Sequence, residues 1–345
     1  MSTFVGFDWL QAEETTFVGA DLPPPAALFE AEAPPERELV RASAPAPSHA
    51  EFRRRCAAFH AARTTAPPLD EIRRIAALPQ HLPDGSANRA WLDARLDKIT
   101  GSAIGALAGV NPYESPEDKV VSLVWRDYAP FTGNEMTRWG NEHEDDAQAA
   151  FALAAGVAET RIENPGLVID RTRGHMAMSP DGVLRTERAD GSVELALLEY
   201  KCPWGCRHLT TEADVLAKGS LYPRKPIRDA RCGVVPLPSY YHAQIQHGMS
   251  VLSSLGKPIT RSLFVVWCPS ASDTVREVAR TPESRIVSTP RGTVQITEVA
   301  RDDAYIAAMY ERVDTMWDKY VMACVWRDAA CLDEPDLRPS LDVVT

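Results

Sequence analysis

The sequence predicts an α/β protein with a central mixed β-sheet flanked by helices, and three observations carry that prediction. The chain has 345 residues, of which 45% are apolar, enough to enclose a sizeable core. Helical spacing of apolar residues fills the stretch after position 68, three extended segments follow, and a helix and a further strand come after them. The longest apolar runs, "AIGALAGV" and "FVVWC", fall well short of the roughly 20 residues of a membrane span.

Residues 1–65, with "DLPPPAALFEAEAPPERE" and "RASAPAPSHAEF", are rich in Pro, Ala and Glu and lack periodicity, so they are expected to form a disordered arm with a short helix near "HAEFRRRCAAFHAAR". The globular domain is expected over 66–325, with an acidic tail over 326–345. Its first helices are "LDEIRRIAAL" and "RAWLDARLDKI". "TGSAIGALAG" makes a helix capped by Thr100 or Ser102, and "SPEDKVVSLVWRDY" one capped by Ser115 with Pro116 in its first turn. "MTRWGNEHEDDAQAAFALAAG" reads as one long helix ended by Gly156. Segments 166–170, 175–184 and 193–202 read as a meander of strands parted by "RTRG" and "RADGS". A helix over 240–256, a strand over 261–268 and a long C-terminal helix beginning at 301 complete the order.

The seven cysteines are scattered and odd in number, and no apolar signal segment precedes them, which points to a soluble intracellular protein rather than a disulfide-framed secreted one. A net charge of -11 speaks against a protein that coats nucleic acid, although 218–231 is basic, with Lys218, Arg224, Lys225, Arg228 and Arg231 as candidate phosphate contacts or as a solvated loop. Cys202, Cys206 and His208 do not complete a four-ligand zinc set, and no cysteines frame an iron–sulfur site.

The chemistry concentrates in "LEYKCPWG". Alternation places Leu195, Leu197, Glu199 and Lys201 on one face of a strand and Ala196, Leu198, Tyr200 and Cys202 on the other, so two charges end a face that begins as core. An ion pair at a strand end would look the same. The preceding strand, however, stops at "SPDG", where Pro180 and Gly182 break the ladder, and a hairpin would bring Asp181 beside Glu199. Two carboxylates and an amine at one point suit Mg²⁺ or Mn²⁺. Glu144 shares a helical face with Ala147, Gln148, Phe151 and Ala155, whereas Asp145 and Asp146 read as a solvated first turn.

Taken in order, "WLDARLDKITGSAIG", "WGNEHEDDA", "SPDG", "LEYKCP" and "YYHAQIQHGM" resemble the lambda exonuclease and YqaJ-type viral recombinase family, within the PD-(D/E)xK restriction-endonuclease-like fold, over about residues 88–268. The resemblance implies that Asp181, Glu199 and the backbone carbonyl of Tyr200 bind Mg²⁺, with Mn²⁺ as a substitute, and that Lys201 orients or deprotonates the attacking water. It makes Glu144 a supporting acid, puts Gln244 near the metal, and assigns Tyr241 and Gln246 to the substrate side, with a packing role as the alternative for Gln246. Asp170 matches an additional acidic metal position, one residue further from SPDG than the family pattern, and a turn residue in "IDRTRG" is its alternative. Arg95, Ser102 and Ser179 match positions that hold a 5′-terminal phosphate, for which an Arg fork and two hydroxyls are suited; an exposed cation and a helix cap are the plain alternatives for Arg95 and Ser102.

The implied activity is Mg²⁺-dependent hydrolysis of DNA, as a processive 5′-to-3′ exonuclease on linear duplex DNA in recombination and repair. Implied partners are double-stranded DNA, a single-strand annealing protein and further copies of the chain in a trimer, in a virus-encoded protein. An endonuclease of the same fold and a catalytically inactive DNA-binding or adaptor protein are the rival readings, the latter disfavoured by intact Asp181, Glu199 and Lys201.

Overall fold

A computed structural model describes residues 58, 61–63, 65–124, 133–221, 227–229, 233–235 and 237–317. The expected acidic tail, most of the Pro-rich arm and most of the basic stretch after Lys218 lie outside the described residues. Ahead of position 66, Ala62 is buried and Arg63 pairs with Asp314 at 2.8 Å, so the packed body takes in the last residues of the expected arm.

The α/β class and the mixed sheet are as expected. Four helices come first: α1 (Leu69–Ala76), α2 (Arg89–Ala94), α3 (Gly101–Leu107) and α4 (Pro116–Val124). Ser115 caps α4 by accepting from the Asp118 amide at 3.1 Å. Thr100 stands at the N-cap of α3 without a capping side-chain bond.

The expected long helix is two, α5 (Glu135–Glu142) and α6 (Glu144–Ala155), broken at His143, whose ψ of 7° departs from the helix. The break has a packing cause. It seats the His143 ring between Trp139 and Trp267, with centroids 4.0 and 4.8 Å away. Gly156 ends α6 in the left-handed region with φ 65°, as its position after the last apolar residue predicts.

The expected meander also divides. β2 (Val168–Ile169) and β3 (Ala177–Met178) form a small hairpin of their own. After Ser179 and Pro180 the chain enters β4 (Gly182–Glu187) and β5 (Val193–Lys201) of the main sheet, where the short β1 (Ile162–Glu163) pairs with β4. After α7 (Glu212–Lys218), a two-stranded ribbon of β6 (Ile227–Asp229) and β7 (Gly233–Val235), and α8 (Ser239–Ser253), β8 (Arg261–Cys268) returns parallel to β5. A long crossover of this kind is what a parallel pair demands. Strands β9 (Arg276–Arg280), β10 (Ser284–Thr289) and β11 (Gly292–Ala300) extend the sheet, and α9 (Asp303–Met316) follows. The seven-stranded order is β1-β4-β5-β8-β11-β10-β9, antiparallel apart from β5 and β8.

Both faces of the sheet are covered, and the alternation in β5 assigns its residues to two cores. Leu195 and Leu197 join Phe264 and Val266 beneath α3, α8 and α9, against Ile104, Ile245, Met249 and Met309. Ala196, Leu198, Tyr200 and Cys202 join Val265 and Trp267 beneath α6, against Ala147, Ala150 and Phe151. From Leu195 the strand is therefore apolar on both sides until Glu199, a fully buried carboxylate on the first of these faces.

Candidate active site

The β4–β5 ladder runs without a bulge from Glu187↔Val193 to Gly182↔Leu198, so the next residues outward, Asp181 and Glu199, are brought together by register alone. Pro180 has no N–H for a ladder, and the chain turns there. The Asp181 carboxylate accepts from the Tyr200 amide at 2.7 Å. Lys201 Nζ donates to Glu199 Oε1 and to the Tyr200 carbonyl, the latter at 2.9 Å, and stands 3.8 Å from Asp181 Oδ2. From α8, Gln244 Nε2 donates to the same Glu199 oxygen. Tyr241, one turn earlier, holds its ring centroid 5.5 Å from Lys201 Nζ.

These groups open into a cleft of about 430 Å³ lined by Met136, Asn141, Glu144, Asp181, Lys201, Trp204 and Tyr241 among others. Glu144 stands exposed at the first turn of α6, on the cleft rim. Although the residue as a whole is exposed, desolvation of its carboxyl by the cleft walls, then repulsion from Asp181, raises it above the ordinary carboxylate range. Glu199 is fully buried; that burial, then the Asp181 charge, pushes its carboxyl up to about 8. Burial raises Asp181 as well, against the pull of Lys201. Burial works to lower the Lys201 ammonium, but Glu199 and Asp181 outweigh it and the lysine holds its proton more tightly than usual.

The two upward shifts in the Glu199–Lys201 pair differ in cause: burial, then the Asp181 charge, raises Glu199, whereas the Glu199 and Asp181 charges raise Lys201 against its burial. Three carboxylates compete for one ammonium, so a carboxyl retains a proton that full pairing would remove. Ionised, the cluster carries two uncompensated negative charges. Glu199 Oε2 is moreover buried without a hydrogen-bond partner, a costly state for a carboxylate oxygen. A divalent cation would remove both penalties. Among the described residues no three His, Cys, Asp or Glu side chains close on one point. The donor set that fits is two carboxylates and the Tyr200 carbonyl, with water or phosphate completing the shell, a composition suited to Mg²⁺.

Two of the expected site residues lie elsewhere. Asp170 does not join the cluster: its Oδ1 accepts from the Thr172 amide at 2.7 Å, the Thr172 hydroxyl at 2.7 Å and the Arg173 amide at 2.9 Å, closing the turn between β2 and β3. These contacts are those of its turn alternative. Gln246 is fully buried and cannot reach a substrate; its amide donates to the Ala300 carbonyl at 2.7 Å and accepts from the Asp302 amide at 2.9 Å. Residues two apart on a helix point about 200° from each other, so Gln244 and Gln246 cannot both face the cleft.

The expected phosphate-binding residues occupy adjoining segments. The Ile99 amide donates to His175 at 2.7 Å and its carbonyl accepts from Ala177 at 2.9 Å, which runs the start of α3 alongside the approach to SPDG. Arg95 stacks on Trp91 at 4.4 Å and donates to the Thr100 hydroxyl at 3.2 Å, and Ser102 is exposed in the first turn of α3. The Ser179 hydroxyl is buried without a partner. Gly101 packs so tightly that a Cβ there would stand 3.2 Å from Gln244 Cγ, which sets the start of α3 against the cluster. Cys202 donates to the His143 carbonyl at 3.3 Å, Cys206 is buried and His208 is exposed, an arrangement that gives no zinc site among the described residues.

The sequence reading missed Trp204, Met136 and Asn141 on the cleft wall and Asn164 behind Asp181. Trp204 follows the ExK strand directly and was within reach of inspection; Asn164 meets Asp181 only through the fold.

The molecule is thus an α/β protein whose central mixed sheet carries an acidic cluster and a lysine at the end of a buried strand. Residues 90–255 match the family model of the YqaJ-like viral recombinase domain. No curated protein matches the chain. Solved structures similar to it include LHK-Exo in complex with dAMP (22% identity, TM-score 0.46, covering 71% of this chain and 100% of that one). Two others are a phage-related exonuclease from Haemophilus somnus 129PT (15%, 0.39, 66% and 95%) and a SOX–DNA complex (10%, 0.42, 69% and 68%). Among the described residues no helix is long and apolar enough to cross a membrane.

Proposed function

We propose that this protein is a Mg²⁺-dependent deoxyribonuclease, acting as a processive 5′-to-3′ exonuclease on linear duplex DNA. The observation that carries the reading is the junction of Asp181, Glu199 and Lys201 at one cleft, with a buried, unpartnered Glu199 oxygen and two negative charges in excess. The match of residues 90–255 to the YqaJ-like viral recombinase domain supports a role in recombination.

In this reading Asp181, Glu199 and the Tyr200 carbonyl hold the cation, which when bound polarises the scissile phosphate. Lys201 remains protonated between its carboxylate neighbours, so it orients the attacking water and donates to a phosphate oxygen as charge develops there. Gln244 fixes the Glu199 carboxylate, Glu144 borders the same cleft, and the Tyr241 ring limits where the Lys201 ammonium can stand. Arg95, Ser102 and Ser179 receive the 5′ phosphate, which supplies the polarity. A trimer and a single-strand annealing protein complete the proposed assembly.

The test is degradation of linear duplex labelled at either end, with and without 5′ phosphate, in Mg²⁺ or EDTA, for wild type and Lys201→Ala, beside a closed circle. Loss from the phosphorylated 5′ end that needs both Mg²⁺ and Lys201 is expected. Equal rates without the phosphate would remove the Arg95 and Ser179 roles, and cutting of the circle would make the protein an endonuclease. Absence of any metal-dependent cleavage would leave a DNA-binding protein.

A further inference from the structure

Asn164, just beyond β1, makes contacts that none of the roles above uses. Its amide lies opposite the start of β4, because Glu163 pairs with Val183. Asn164 Nδ2 stands 2.6 Å from the backbone carbonyl of Asp181 and 2.8 Å from Gln148 Oε1. A carbonyl can only accept, so the atom facing Asp181 must be the NH₂ group, and its second hydrogen then serves Gln148. The whole donor capacity of one planar amide is spent on these two partners.

Each partner leads back to the cleft. Asp181 follows Pro180, which cannot donate to a ladder, and its carbonyl lies where β3 has ended and β4 has yet to begin. Asn164 supplies the donor that this carbonyl requires. The Asp181 side chain is meanwhile fixed by the Tyr200 amide at 2.7 Å, so the residue is held at its backbone from one side and at its carboxylate from the other. Gln148 is one helical turn beyond Glu144 on the same face of α6. A single amide thus links the peptide that carries Asp181 to the helix that carries Glu144.

We infer that Asn164 is a positioning residue for divalent-cation binding, acting through the Asp181 backbone and, by way of Gln148, through α6. The inference rests on the nuclease reading of the same cleft. Asn164 is exposed, so its removal leaves the core intact, whereas loss of a group that orients a metal ligand lowers metal affinity by about 10- to 100-fold.

The experiment measures Mn²⁺ binding to the DNA-free protein by electron paramagnetic resonance of the free ion, with thermal unfolding in EDTA as a control for folding. For Asn164→Ala, the Mn²⁺ dissociation constant is expected to rise about 10-fold with the EDTA melting curve near that of wild type. In parallel, half-maximal cleavage should need about 10-fold more Mg²⁺ while the rate at saturating Mg²⁺ stays close to wild type. The double variant Asn164→Ala/Gln148→Ala should bind Mn²⁺ no more weakly than Asn164→Ala, because both act through one amide. If Asn164→Ala fails to fold, Asn164→Leu, close in size, uncharged and unable to donate, poses the same question. Unchanged Mn²⁺ affinity in a folded Asn164 variant would overturn this inference and leave the nuclease reading intact. Failure of the wild type to bind Mn²⁺ would overturn the nuclease reading and this inference with it.

Discussion

Replacing Glu199 with Gln should make the metal-free protein more stable and, in the same variant, abolish cleavage. Glu199 is fully buried and its carboxyl is pushed up to about 8. Relative to an unfolded carboxyl at 4.5, the fold therefore disfavours the ionised form. At about 1.4 kcal/mol per pH unit, the penalty approaches ~4 kcal/mol near pH 8. Its sign follows from the raised native value: the contribution of Glu199 to stability is complete below pH 4.5 and is lost as pH climbs towards 8. Gln keeps an oxygen for Lys201 and Gln244 and carries no charge. In EDTA, urea unfolding at pH 8 should show Glu199→Gln more stable than wild type by ~1–4 kcal/mol, with the advantage shrinking towards pH 5. Mg²⁺ should stabilise wild type and leave the variant unmoved. A variant no more stable than wild type at pH 8, or an advantage independent of pH, would refute the claim that this carboxylate is held at a cost.

Other consequences can be measured separately. His247 is buried, donating from one ring nitrogen to the Ala177 carbonyl and accepting on the other from the Tyr310 hydroxyl, each at 3.0 Å. Burial lowers it to about 4 from 6.5, so the unfolded chain gains the proton first as pH falls, and stability should drop by up to ~3 kcal/mol between pH 6.5 and 4, an acid sensitivity that His247→Gln should reduce in urea titrations. Gly166→Ala would place a Cβ 2.2 Å from the Leu78 carbonyl oxygen, backbone against backbone, and should destabilise by ~1–3 kcal/mol or more in thermal unfolding. Gln244→Ala removes a donor from a buried carboxylate oxygen and should reduce cleavage far more than it reduces duplex binding, as separate gel-shift and degradation assays would show.

Much of this site was legible because it lies along a strand. The period of two in 193–201 fixed which residues share a face, and the Pro and Gly of SPDG fixed where the partner strand begins, so the meeting of Asp181 with Glu199 needed only a hairpin. The rest depends on packing. The break at His143 answers to Trp139 and Trp267, the latter more than a hundred residues away, and no local signal announces it. Strands β9 to β11 went unread although β11 carried a local signal: "TVQITEV" is rich in β-branched residues and alternates polar and apolar from Thr293 to Thr297, the ordinary marks of a strand. Gln246 and Asp170 were assigned by motif, and a motif fixes positions in sequence without fixing which way a side chain points.

The hairpin that joins β4 to β5 turns at Arg188–Ser192, where the residues are exposed, while the reactive groups occupy the opposite end of the same two strands. Lys201 lies eight positions beyond Val193, about 27 Å of extended chain. The uninterrupted ladder between them protects the register of Asp181 and Glu199 from whatever is placed in the turn. That turn is accordingly a natural point of attachment: a fluorophore, an affinity tag or a whole inserted domain can be carried there, and the cleft would remain unobstructed.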